Sequence, residues 1–238
     1  MKEKEKDTKM QDYLKEMFLL QQKLNDETNG IGWENGYTKN DKMINWKRCI
    51  YMECAELIDS FSWKHWKNID APIDWENAVI EIVDIWHFIM SLLLEDYKTN
   101  HKGEINKLIR DIKDAHGFEK FTKEPYSLGN VSSMEIINDI EKIINRTTGY
   151  NMDIYDGLLR DYFTLALKCG VNLQILYKYY VAKNVLNQFR QDHGYKEGTY
   201  KKVWNGKEDN EVMLAILEKK LPTPETLYRE LKAVYQAI

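Results

Sequence analysis

The sequence predicts an all-α fold, a multi-helix bundle built round a central buried helix pair. Three observations carry this. Helix breakers are scarce, with 4 Pro and 12 Gly in 238 residues, too few for the turns of a many-stranded sandwich. Apolar residues make up 43% and charged residues 30%, enough to fill a core and coat it. Segment after segment repeats its apolar residues at intervals of three and four, the period of a helix.

The elements follow in order. Residues 1–10, MKEKEKDTKM, are charged and hold no apolar run, so they read as a disordered or frayed lead without a secretory signal. Helical periodicity runs from Gln11 to Thr28. Asn29-Gly30, Gly32 and Asn35-Gly36 then open a loop to about Asn40. A second helix covers Asn45–Phe61. The aromatic and basic stretch Trp63–Asp74 leads past Pro72 into a third, Trp75–Tyr97. Residues 98–150 read as a variable helical connection, with short helices near Ile105–Lys113 and Met134–Arg146. Ile154–Lys168 and Leu173–Gln191 come next. His193–Glu208, with Gly194, Gly198 and Gly206, reads as a loop, and Pro222 and Pro224 interrupt a last helical stretch, Asn210–Ala237. Residues 11–238 are expected to form one domain, with a smaller mobile helical subdomain.

Several function classes are disfavoured at this level. Net charge is −4, without the basic surplus of a nucleic-acid footprint. Three cysteines, an odd number with no CxxC pair, fit neither a disulfide scaffold nor a thiolate zinc site and suit a reducing cytosol. The most apolar run, Ile85–Leu94, is about half a membrane span. The expectation is a cytoplasmic protein needing neither membrane nor nucleic acid.

Chemistry concentrates on two helix faces. At 100° per residue, Ile85, Phe88 and Leu92 fall within about 40° of Glu81, and apolar residues cover the other sides of the third helix. Glu81 and Asp84 therefore sit three apart in a helix that should be buried. A buried carboxylate without a partner is costly, and two side by side cost more; a cation resolves both. Glu53 and Glu56 repeat the spacing on the second helix, with Glu53 at the margin of its apolar stripe. Facing each other, the pairs would gather four carboxylates, hard ligands suited to Mg²⁺ or Mn²⁺. Ordinary solvated helix edges remain the alternative. His87, three after Asp84, has no second acid-x-x-His partner helix, which argues against a di-iron bundle and leaves a satisfied core histidine open.

Three further constellations stand out. Gln21 and Asn25 occupy apolar-stripe positions of the first helix, where an amide can read the edge of a base or sugar, or cap neighbouring backbone. Trp63 and Trp66 could wall a planar ligand or pack in a core. Lys183, Asn187 and Arg190 share a face at i, i+4 and i+7, followed by Tyr195 and Lys202 in a glycine-containing loop. That local basic cluster suits a polyphosphate, although a solvated charged face would look the same. No GxxxxGK[ST] loop is present, so a Walker-type NTPase is disfavoured. Acid cage, amides, aromatic walls and basic clamp together match the needs of a nucleoside triphosphate with its cation.

ExxE at Glu53 and Glu56, followed by ExxD at Glu81 and Asp84, resembles the signature of the all-α nucleoside triphosphate pyrophosphatases, MazG-like relatives included. QQKLNDETNG (21–30), YMECAELIDSFSWKHWKN (51–68), EIVDIWHF (81–88) and KNVLNQFRQDHGYKEGTYKK (183–202) are similar to the dimeric dUTPases within them. The resemblance covers roughly residues 11–205 and is weakest over 98–150. It implies a homodimer that hydrolyses dUTP, and often dUDP, to dUMP with Mg²⁺. Glu53, Glu56, Glu81 and Asp84 would then hold two or more ions, and Glu56 would orient the attacking water. Gln21, Asn25, Trp63, Trp66 and His87 would meet the nucleoside. Lys183, Asn187, Arg190, Tyr195 and Lys202 would bind the phosphates, with loop 193–206 closing over them. The resemblance suggests attack at the β-phosphorus; the residues leave α and β open. Alternatives are a pyrophosphatase of this fold acting on dCTP or a non-standard nucleotide, and a non-enzymatic, metal-binding helical interaction protein.

Overall fold

A computed structural model describes residues 2–68, 70–100, 103–126, 130–149, 152–219 and 222–237, with the backbone alone for residues 2–11. Residues 101–102, 127–129 and 150 of the expected 98–150 connection lie outside the described residues. Ten α-helices, a 3₁₀ turn at Trp33–Asn35, a π-helical turn and one two-stranded ribbon make up the regular structure among those described, as the scarcity of breakers led one to expect. Contacts group into two units, Met1–Tyr177 and Lys178–Ile238.

The first unit is built round α3 (Trp75–Thr99). Asp74 starts it, its carboxylate accepting from the Asn77 N–H at 2.9 Å. By length and composition α3 could cross a membrane, but 72% of its most apolar window is buried inside the fold; it is the core helix. Trp86 lies at its centre, fully buried, stacked on Tyr162 at 5.2 Å and edge-on to Phe18 at 6.3 Å. These rings join α3 to α1 (Lys2–Asn29) and α7 (Arg160–Lys168). The Tyr162 hydroxyl donates to the Ile82 carbonyl at 3.0 Å, satisfying the one polar atom of that ring.

α2 (Trp46–Asp59) lies along α3 in the opposite direction. Asn77 at the start of α3 donates to the Ser60 hydroxyl just past α2 at 2.8 Å, while Trp46 at the start of α2 stacks on Phe88 at 6.0 Å. α4 (Ile105–Asp114), α5 (Phe118–Phe121) and α6 (Ser133–Thr148) follow. A Ser132-x-x-Glu135 cap begins α6, the Ser132 hydroxyl accepting from the Glu135 N–H at 3.2 Å.

Two boundaries differ from the sequence expectation. α1 begins at Lys2 rather than Gln11. Lys and Glu are good helix formers, but a segment without an apolar face gives no periodic signal. The expected helix Ile154–Lys168 is divided, with a π-helical turn at Ile154–Leu159 before α7. Gly157 there lies under the Arg146 guanidinium, where a Cβ would sit 2.8 Å from Nη1.

Asp139 of α6 is buried and bonds Lys142 and Lys168, both at 2.6 Å. Burial pushes its carboxyl up, yet the two lysines together hold it below the usual carboxylate range. A depressed folded pKa stabilises the fold above the unfolded value of about 3.9, and that contribution is lost as pH falls through the folded value. Asp139→Asn should therefore flatten the acid limb of a thermal-midpoint profile below about pH 4; an unchanged acid limb would assign the loss to other carboxylates.

The second unit takes the end of α8 (Leu173–Asp192), then β1 (Val203–Trp204), β2 (Lys207–Glu208), α9 (Asp209–Lys219) and α10 (Pro224–Tyr235). The ribbon lies inside the stretch expected as loop. Its turn is Asn205-Gly206 with φ of 50° and 85°, the left-handed pair that a tight two-residue hairpin requires. Phe189 centres this unit, with His193 stacked on it at 3.8 Å and Trp204, Tyr228 and Tyr235 edge-on at 5.3 to 5.7 Å.

Candidate active site

The opposed run of α2 and α3 brings acids from both helices together. One carboxylate oxygen from each of Glu53, Glu81 and Asp84 lies within 4.8 Å of the others. Glu81 is buried at 7% exposure, and Glu53 and Asp84 are half-buried. Three like charges in that volume suit a hard divalent cation, so the donor set fits the ion expected from the sequence. Glu56, the fourth expected acid, is exposed and stands outside this cluster. The Glu53 charge reaches two thiols as well. Cys49 and Cys54 are held above the ordinary thiol range, by burial first and by Glu53 second. Thiolate chemistry is thereby disfavoured here.

Two turns further along α3, a polar network sits inside the apolar core. Gln21 and Asn25 of α1 are buried together with His87 and Ser91 of α3. The Gln21 Nε2 donates to Asn25 Oδ1 and to the Ser91 hydroxyl, both at 3.1 Å. Asn25 Nδ2 donates to the same hydroxyl at 2.9 Å. Ser91 in turn donates to the His87 carbonyl at 2.9 Å. That leaves Gln21 Oε1 to accept from His87 Nδ1 at 2.7 Å, which assigns the ring proton to Nδ1. Three of the expected nucleoside residues, Gln21, Asn25 and His87, thus belong to one network, with Gln21 bonded to both of the others. Ser91 accepts from both amides and donates to the His87 carbonyl. Ser91→Ala should leave both amide N–H groups short of an acceptor and cost about 1–3 kcal/mol. A urea midpoint equal to wild type would mean that the amides find other partners.

Trp63 and Trp66 stand on the loop between α2 and α3, both exposed and edge-to-face at 5.5 Å. Trp63 Nε1 donates to Asp59 at 2.8 Å, and Lys64 lies 5.3 Å over the same ring. Trp63, Lys64, Lys67, Asn68 and Asp74 line a cleft of about 260 Å³, which Trp66 does not line.

The expected phosphate residues all lie in the second unit. Arg190 donates through Nε and Nη2 to the two Asp209 oxygens, both at 2.8 Å, and through Nη1 to Asn187 at 3.2 Å. Its guanidinium sits 5.7 Å from the Tyr195 ring centre. Lys183 is buried and bonds Asn210 at 2.8 Å. Lys202 pairs with Glu208 at 3.0 Å. Burial pushes the Asp209 carboxyl up, but Arg190, Tyr200 and Lys183 together hold it below the usual range. The Tyr200 hydroxyl, 2.8 Å from Asp209, is raised far above the phenol range by burial and that carboxylate. Asp209 and Asn210 are not among the residues that the sequence singles out. The Asn205-Gly206 turn was the signal for them, since a hairpin there returns Asp209 towards the residue that enters it.

A family model described as dUTPase matches residues 13–195. No curated protein matches the chain. The matched span contains the acid cluster, the amide network, both loop tryptophans and the expected phosphate residues as far as Tyr195; Lys202 and the ribbon follow it.

Proposed function

The chain belongs to the dUTPase family and hydrolyses dUTP, and from that premise we propose how its residues divide the work. Glu53, Glu81 and Asp84 hold Mg²⁺, with Mn²⁺ as a substitute and room for more than one ion. The observation that carries this is the meeting of three carboxylates from two helices within 4.8 Å, one of them buried. A cation held there neutralises phosphate charge and acidifies a bound water. Glu56 lies three residues beyond Glu53 and is exposed, free to orient the attacking water as a general base.

Gln21 and Asn25 pair with the uracil edge, His87 and Ser91 fix the amides, and Trp63 and Trp66 flank the nucleoside. Lys183, Asn187, Arg190, Tyr195 and Lys202 receive the phosphates. dUDP is a second substrate, giving dUMP and phosphate. The enzyme works as a homodimer in the cytosol; the family resemblance and three free cysteines support those two assignments.

The test is product release from each pure deoxynucleotide, with metal removed and restored. Pyrophosphate should appear from dUTP, stop on chelation and return with Mg²⁺. Turnover surviving exhaustive chelation would remove Glu53, Glu81 and Asp84 from metal binding.

A further inference from the structure

Beyond residue 195, where the family match ends, lies a fully buried carboxylate with no part in the proposed reaction. Asp209 has 0% exposure. It meets the Nε and Nη2 edge of Arg190 with two parallel bonds of 2.8 Å. The carboxylate is itself fixed, because the Tyr200 hydroxyl donates to Oδ2 at 2.8 Å and the Asp209 N–H donates to the Lys202 carbonyl at 3.0 Å. The ribbon sets its place: Val203 pairs with Glu208 and Trp204 with Lys207 across the Asn205-Gly206 turn, and Asp209 follows at once.

A buried ion pair is a weak source of stability, because desolvation offsets most of the attraction. What it determines is direction. The guanidinium is a rigid planar fork of five donors. Asp209 takes one edge and Asn187 takes a bond from Nη1, which turns the Nη1–Nη2 end in one direction. A fork already ordered loses little freedom when an anion arrives.

We infer that Asp209 is a positioning residue that aims Arg190 at the polyphosphate. The inference deepens the proposed function and rests on Arg190 being a phosphate ligand. It carries a sign that charge alone would reverse. Asp209→Asn removes a negative charge beside the proposed anion site, so a purely coulombic account expects tighter triphosphate binding. Positioning expects weaker binding, because the fork is released.

The experiment is calorimetric titration of the full chain with α,β-imido-dUTP and Mg²⁺, and separately with deoxyuridine. Asp209→Asn should weaken the analogue about tenfold and leave deoxyuridine within about twofold of wild type. Arg190→Lys keeps the charge and loses the fork; it should weaken the analogue similarly, and adding Asp209→Asn to it should cost nothing further. That loss of additivity is what a merely structural role would not produce. If Asp209→Asn does not fold, Tyr200→Phe tests the same support, with about a threefold loss expected. Analogue binding at or above wild type in Asp209→Asn, or in Tyr200→Phe where that variant stands in, overturns the positioning role when Arg190→Lys is weakened. Wild-type binding by Arg190→Lys instead overturns the phosphate role of Arg190, and the inference falls with it.

Discussion

Glu81→Gln is expected to lower dUTP turnover by at least about a hundredfold while the protein stays folded, because charge placed for the transition state dominates such sites. Glu81 is the buried member of the acid cluster, and the amide keeps its shape and removes its charge. In metal-free protein the same change relieves like-charge repulsion, so the thermal midpoint should hold or rise. Lost turnover without lost stability separates a metal ligand from a structural acid. Glu56→Gln should behave differently, with kcat reduced and Mg²⁺ affinity unchanged, if Glu56 is the base rather than a ligand. More than about a tenth of wild-type activity in Glu81→Gln at saturating Mg²⁺ would sink the acid site.

The second large effect concerns base choice. A site that hydrogen-bonds its substrate rejects the wrong partner far more strongly than an apolar pocket does, because the mismatch leaves buried polar groups unpaired. Gln21 and Asn25 are 2% and 4% exposed, buried enough for that penalty to apply. The ratio of kcat/KM for dUTP over dCTP should therefore be about a thousandfold or more, and Asn25→Ala should bring it down towards unity. A ratio near one in the unaltered protein would mean that the network does not read the base. A high ratio that survives both Asn25→Ala and Gln21→Ala would place base selection elsewhere.

The central helix is legible because α3 is apolar on almost every side and still carries Glu81 and Asp84; acids in such surroundings are a contradiction visible in sequence. The amide positions on α1 were legible for the same reason. What period and spacing do not contain is partnership over distance. His87 meets Gln21 across 66 residues, and Arg190 meets Asp209 across 19. Helical spacing does separate the two acids of α2, since at 100° per residue Glu56 lies about 60° further from the apolar stripe than Glu53, but the shared acid-x-x-acid pattern masks that difference until α2 crosses α3. The ribbon was a different kind of miss. Asn-Gly is a hairpin signal in its own right, but Gly194, Gly198 and Gly206 together give the pattern of an irregular loop, and that pattern does not show that the turn delivers Asp209.

Glu81, Asp84, His87 and Ser91 stand on one uninterrupted helix, which makes α3 a ruler. Ser91 lies seven positions after Asp84, about 10 Å at the rise of an α-helix, and the helix runs unbroken between them. A ligand engaging both the acids and the amide network has to match that length, so selection by size is built into a backbone distance rather than into any pocket wall. Inserting one residue between Asp84 and His87 would shift the two ends by about 1.5 Å and turn them by about 100° relative to each other. Each end would keep its own residues, and the instrument that measures between them would be out of register.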